Sequence, residues 1–154
     1  MFERILLAIA DAEDTAETIE SVAALALAFS AEVVVFHARE RIVGPRDEVR
    51  EEETISESRR YGEEVSGRLS AAGIRTRLAV EDIRPEKLGE LILAHADAER
   101  AELIVIGGHH PHNLRESVFG DIGKTLVHRA HCPVLLMPSA ARTATASGKE
   151  ANQG

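Results

Sequence analysis

The sequence predicts an α/β fold, a parallel sheet with helices on both faces, on three observations. Short apolar runs bounded by turn residues recur along the chain, at 5–9, 33–36, 103–106 and 134–137. Each has the length of a buried strand, and apolar residues on both faces mark strands covered on both sides. Between these runs lie segments with apolar residues at helical spacing, so the elements alternate as β-α-β-α-β-α-β-α-β, the signature of a layered α/β domain. The stretch 101–138 is itself a whole unit of strand, glycine loop, helix and strand. Such crossovers join parallel strands and are right-handed.

Residues 5–9, Ile-Leu-Leu-Ala-Ile, form the first strand and read as central. Asp11 to Asp14 is turn-like and can cap the following helix, in which Ile19, Val22, Ala23, Ala26 and Leu27 fall at helical spacing. Residues 33–36 form the second strand. The segment 39–60 is densely charged, with Gly44-Pro45 as a break and helix expected from Arg46 onward. Val49, Ile55, Val65 and Leu69 give that helix a thin apolar stripe, so its glutamates from Glu51 to Glu64 read as a solvated face. Gly73 closes it as a C′ glycine does. Arg75 to Val80 is the third strand, with Leu78 and Val80 inward. Pro85 suits a first helical turn, and Leu88, Leu91, Ile92 and Ala96 make the next core-facing stripe. Leu103 to Ile106 is the fourth strand and ends at Gly107-Gly108. Gly120-Asp121 then opens a helix with Ile122, Leu126 and Val127 on one side, Pro133 stops it, and Val134 to Met137 is the fifth strand. From Ser139 the chain lacks periodicity and large apolar residues, which predicts a disordered tail over 139–154 after one domain over 1–138.

Composition narrows the function. The chain has 154 residues, 29% of them charged, and a net charge of −8. That acidic surface argues against nucleic acid and anionic membrane partners, and 3% aromatic residues with no Trp argue against base-stacking platforms. One cysteine, Cys132, excludes an internal disulfide and suits a reducing compartment. The first residues enter a strand at once, without a signal peptide, and no apolar run approaches the ~20 residues that span a bilayer. A cytoplasmic protein is expected.

In open parallel sheets ligands sit beyond the carboxyl ends of the strands, beside helix N-termini, which places the candidate site in the loop 107–121. The same residues carry a family resemblance. Glu102-Leu-Ile-Val-Ile-Gly107 before the loop and Cys132-Pro-Val-Leu-Leu136 after the helix resemble the C-terminal half of the universal stress protein family, and the likeness extends over roughly 1–138. The resemblance implies a doubly wound, five-stranded sheet of order 3-2-1-4-5, which the pattern alone would not fix. It also implies a homodimer through the last strand, Val134 to Met137, whose exposed edge would otherwise stand uncovered.

Members that bind ATP show Gly-x2-Gly-x9-Gly-Ser/Thr in this loop. Gly107 and Gly120 keep the first and third glycine, His110 replaces the second, and Asp121 replaces the Ser/Thr. Gly108-His109-His110 is similar to the branch regarded as not binding ATP. A nucleotide pocket of this type would draw on Ala10, Asp11, Ala38, Gly107, His110, Gly120 and Asp121. Relatives carry Asp where this chain has Ala10. Asp11 stands one residue on, and a one-residue displacement reverses the side-chain direction, so a turn or cap role suits it. His37-Ala38, at the end of the second strand, would offer backbone groups to an adenine, with His37 itself a satisfied strand-end histidine. At the third strand end, Glu81, Asp82 and Ile83 stand where relatives often have Gly, and Arg84 reads as one half of a surface ion pair. His110 adds bulk where backbone would approach phosphate. Asp121 caps a helix as well as Ser does but donates no proton when ionised. Its charge facing one phosphate charge at ~4 Å costs roughly 1 kcal/mol in water and about 4 at an effective dielectric of ~20.

Gly120-Asp-Ile-Gly-Lys-Thr125 looks like the end of a Walker A loop, but Val118 stands where the first glycine is required and no strand leads into it. His109, His110 and His112 lack a nearby Cys or carboxylate and read as loop histidines rather than metal ligands. Cys132 reads as a buried, inert joint. No nucleophile–base pair is evident near Ser117 or elsewhere, so catalysis beyond slow ATP hydrolysis has no support in the residues. The leading expectation is a stress-response protein acting by binding, with weak or no ATP binding. The alternatives are an adenine-nucleotide sensor or slow ATPase, and a flavodoxin-like redox module whose loops lack the aromatic residues expected around a flavin.

Overall fold

The computed structural model of the chain describes residues 2–9, 16–43, 45, 49–51, 55–107 and 117–137. Five parallel strands carry the domain: β1 (Arg4–Ile9), β2 (Glu32–Val43), β4 (Thr76–Ile83), β5 (Leu103–Gly107) and β6 (Val134–Leu136). They lie in the order β4-β2-β1-β5-β6, which is the expected 3-2-1-4-5 arrangement. Alternation along each strand then sorts the core. Ile5, Leu7, Ile9, Val33 and Val35 face helices α1 (Ala16–Phe29) and α2 (Ile55–Ala71). Leu6, Ala8, Val34, Phe36, Ile104 and Ile106 face α3 (Leu88–Glu99) and α4 (Ser117–Arg129).

Three helices end the same way. Ser30, Gly73 and Arg100 take positive φ, and the next amide in each case closes a wide turn: Ala31 N–H to Ala26 O at 2.8 Å, Ile74 to Leu69 at 3.1 Å, Ala101 to Ala96 at 2.8 Å. This is the left-handed helix ending that satisfies otherwise orphaned carbonyls, and Gly73 fills it as expected. Pro85 opens a 3-10 turn, Pro85–Lys87, leading into α3.

Four expectations need correction. The helix expected from Arg46 begins at Ile55; before it β2 runs on to Val43 and β3 (Val49–Glu51) returns antiparallel, with Val43 opposite Val49 and Arg41 opposite Glu51. Pro45 therefore sits within a hairpin connection, and Arg50 and Glu51, which read as helix, lie in the returning strand. The buried stripe of α2 is Ser58, Gly62, Val65 and Leu69, while Ile55 is 62% exposed: small residues let the helix approach Leu78 of β4, since a Cβ on Gly62 would come within 2.6 Å of it. On α1 the buried set is Thr18, Ile19, Val22 and Ala26, and on α4 it includes Ile122 and Leu126. Leu27 and Val127 are exposed, because each lies about 100° around its helix from the preceding buried residue, outside a stripe of this width. Finally, α4 starts at Ser117 rather than at Gly120-Asp121. The expected tail, 139–154, lies outside the described residues.

The amino-terminal end of the sheet is tied by charge. Glu32 accepts from Arg77 Nε at 2.5 Å, Arg77 also reaches Glu99 at 2.5 Å, and Arg4 lies 3.8 Å from Glu32. The hydrogen bond from Arg77 and the guanidinium charges around it hold the Glu32 carboxyl below the ordinary carboxylate value. Its stabilising contribution is therefore complete above the unfolded-state pKa and is lost as pH falls through the lower folded value. With Arg77 half in solvent, the gain is below about 1 kcal/mol. Urea unfolding of the native chain and Glu32→Gln should show a small gap at pH 7 that closes below pH ~4.5.

Candidate functional site

The carboxyl ends of β1 and β5 form the switch point of the sheet, since the chain proceeds from β1 to β2 on one side and β5 flanks β1 on the other. Ligand crevices of open sheets lie at such points. At this point the end of β5 closes directly onto α1. Gly107, last residue of β5, lies against Thr18 in the first turn of α1; a Cβ on Gly107 would stand 2.8 Å from Thr18 Cβ and closer still to its Cγ2 and Oγ1. Thr18 is fully buried, and its hydroxyl has no hydrogen-bond partner among the described residues. Gly107 is thus required by a close approach, independent of any loop role.

At the end of β2, His37 is buried and its Nδ1 lies 2.9 Å from the Ile9 carbonyl oxygen. A carbonyl only accepts, so Nδ1 carries the proton. The ring meets Tyr61 of α2 edge-on, with centroids 5.1 Å apart. His37 is the satisfied strand-end histidine expected of it, and it ties the end of β1 to β2. Ala38 is buried beside it. Pairing of β2 with β1 stops at His37, whereas pairing with β4 continues to Glu40, so Ala38 lies one residue past the last β1 rung.

The carboxylates at the end of β4 are both engaged. Arg39, 2% exposed, donates from Nε to Asp82 Oδ1 at 2.6 Å and from Nη2 to Oδ2 at 2.7 Å. Such two-point pairs are the strong class of ionic hydrogen bond. On the opposite face Glu81 Oε1 lies 2.8 Å from His95 Nε2, and the His95 ring stacks on Phe36 with centroids 4.6 Å apart. Arg84 is exposed and has no ion pair among the described residues, contrary to the surface pair expected of it.

Of the nucleotide-pocket residues expected from sequence, Ala38 and Gly107 are brought to the same end of the sheet. Ala10, Asp11 and His110 lie outside the described residues, as do His109 and His112. Gly120 and Asp121 are the fourth and fifth residues of α4. The capping role expected of Asp121 is therefore corrected: in a helix that starts at Ser117 the free N–H groups belong to the first four residues, and Asp121 follows them by backbone position. The Gly120–Thr125 run is helical throughout, so it is not a phosphate loop. Cys132, expected to be buried, is half-buried, and burial with the nearby Asp97 carboxylate pushes its thiol pKa up, which leaves little nucleophilic thiolate at neutral pH. Among the described residues no group of three or more His, Cys, Asp or Glu could hold a metal, and no helix is long and apolar enough to cross a membrane.

Sequence reading missed the Thr18 contact and the Arg39–Asp82 pair. A signal for the second was present: Arg39 shares strand parity with Val33, Val35 and His37, and a charged residue on a buried parity requires a partner.

Comparison with known proteins places this geometry. The model of the universal stress protein family, Usp, matches residues 1–138. Among solved structures, a universal stress protein family member from Burkholderia pseudomallei is 21% identical over 89% of this chain and 96% of its own, with a TM-score of 0.65. One from Archaeoglobus fulgidus, in complex with dAMP, is 19% identical over 88% and 97%, TM-score 0.63. One from Arabidopsis thaliana, with AMP bound, is 14% identical over 90% and 93%, TM-score 0.60. No curated protein sequence matches. The strand order and the match over 1–138 lead to one conclusion: the chain belongs to the universal stress protein family.

Proposed function

We propose that this is a cytoplasmic stress-response protein that acts by binding, on a nucleotide scaffold whose phosphate end is unfavourable to ATP. The observation that carries this reading is the position of Asp121 directly after the four free N–H groups of α4. A helix start attracts anions through those groups and its dipole. An acidic residue within the next turn offsets that attraction for a polyphosphate. The end of β2 keeps what an adenine needs, backbone beyond the last β1 rung at Ala38. The solved relatives complexed with dAMP and AMP support an occupant the size of a nucleoside monophosphate in the same fold. The penalty grows with phosphate count, so affinity should fall in the order adenosine, AMP, ATP. Calorimetric titration of the three ligands checks it; ATP binding tightest would reverse the reading.

The second half of the proposal is a homodimer through the segment Val134 to Met137. β6 is an edge strand, Leu135 and Leu136 are exposed, and Val127 on the neighbouring α4 is 64% exposed. Unprotected apolar edges recruit another strand, and a second copy supplies an identical one. Sedimentation at micromolar concentration should give a dimer for the native chain and a monomer for Leu136→Arg. A native monomer would overturn this part.

A further inference from the structure

A cavity of about 460 Å³ opens where the first turns of α2 meet β2 and β4, on the far side of β2 from β1 and β5; it is lined by Arg39, Ile55, Arg59, Val80, Glu81 and Asp82. Its volume falls within the range of small-molecule sites. We infer that it binds a small organic anion, a carboxylate or phosphomonoester carried on an apolar body, with Arg59 as the anion's partner.

The charges decide the sign of the ligand. The Asp82 carboxylate takes Arg39 through both oxygens, and the Glu81 carboxylate is turned to the opposite face of the sheet, onto His95. Arg59 has no ion pair among the described residues, so among the described lining residues the uncommitted charge is positive. Arg59 stands four residues after Ile55, the first residue of α2. That spacing places both on one helix face. Ile55, 62% exposed, and half-buried Val80 offer apolar surface to the rest of the ligand. The Arg39–Asp82 pair forms a fixed floor: with Arg39 2% exposed, its guanidinium cannot swing out to replace Arg59. A cation of the same shape would meet Arg59 with no free carboxylate among the described lining residues to compensate.

Three isosteric probes test this on the full-length protein by amide chemical-shift titration: benzoate, phenyl phosphate and benzylammonium. Saturable millimolar binding of at least one anion is expected, with shifts centred on Ile55, Arg59, Val80 and Asp82, and no saturation with benzylammonium. Arg59→Gln, an exposed change, should weaken the anion at least threefold without altering the unliganded spectrum elsewhere, and Ile55→Ser should weaken it while leaving its salt dependence unchanged. Equal binding of the cation, absence of saturation for both anions, or shifts centred on Ile9 and Gly107 would each overturn the inference. The last outcome would instead place anions in the β1/β5 crevice, so this test and the nucleotide titration fail independently.

Discussion

Gly107→Ala should destabilise the protein by roughly 2–3 kcal/mol, the cost of forcing a methyl into a filled space. The added Cβ would stand within 2.8 Å of Thr18 Cβ, and neither neighbour can yield cheaply. β5 is a central, fully buried strand between β1 and β6, and Thr18 is held in the first turn of α1 with its stiff, β-branched side chain. The effect should be conditional. In a Thr18→Ala background most of the clash disappears, and Gly107→Ala should cost less than half as much. Thr18→Val alone should be neutral or slightly stabilising, because the hydroxyl it removes is buried without a partner among the described residues. Urea unfolding of the four chains of the cycle built on Gly107→Ala and Thr18→Ala gives the coupling directly. An undiminished cost of Gly107→Ala in the Thr18→Ala background would mean that the glycine serves backbone conformation or the loop, not this packing.

Asp82→Ala should cost about 2–3 kcal/mol, more than Arg39→Leu, although both remove the same pair. The asymmetry follows from burial. Arg39 is 2% exposed and Asp82 43%. Losing the carboxylate takes the two-point ionic partner from a guanidinium that water does not reach, whereas losing the guanidinium leaves a carboxylate that water can reach. The double change Arg39→Leu with Asp82→Leu should return to within about 1 kcal/mol of the native chain, since an apolar pair avoids desolvating either charge. Thermal unfolding of the three variants checks the ranking. Arg39→Leu proving the costlier single change would show that Arg39 acts through its other contacts rather than through Asp82.

What the sequence disclosed follows the strength of its periodic signals. Buried strands announce themselves by continuous apolar runs, and residues 5–9, 33–36 and 103–106 lie inside the observed β1, β2 and β5. The strand order came through family likeness, because right-handed crossovers alone permit several orders. The β2–β3 hairpin was illegible: its residues are charged, and a solvated strand alternates no more clearly than a solvated helix. The α2 stripe was misread because Ser58 and Gly62 bury as small residues, where an apolar pattern looks for large ones. At the site, Gly107 was legible as a residue and its reason was not: the Thr18 contact joins residues 89 positions apart, a separation no local pattern reports. The start of α4 slipped by three residues, from Gly120 to Ser117, because Gly-Asp reads as a cap wherever it falls near an apolar stripe. Asp121 thereby loses its capping role, while the effect proposed for its charge requires only its backbone position near the helix start.

Titrating ATP and adenosine into the native chain and into Asp121→Ser tests the effect of that charge most directly. The native protein should show no saturable ATP binding at micromolar concentration. Asp121→Ser should improve ATP binding at least tenfold and leave adenosine affinity unchanged. Micromolar ATP binding by the native protein, or an equal gain for adenosine, would contradict the role given to Asp121.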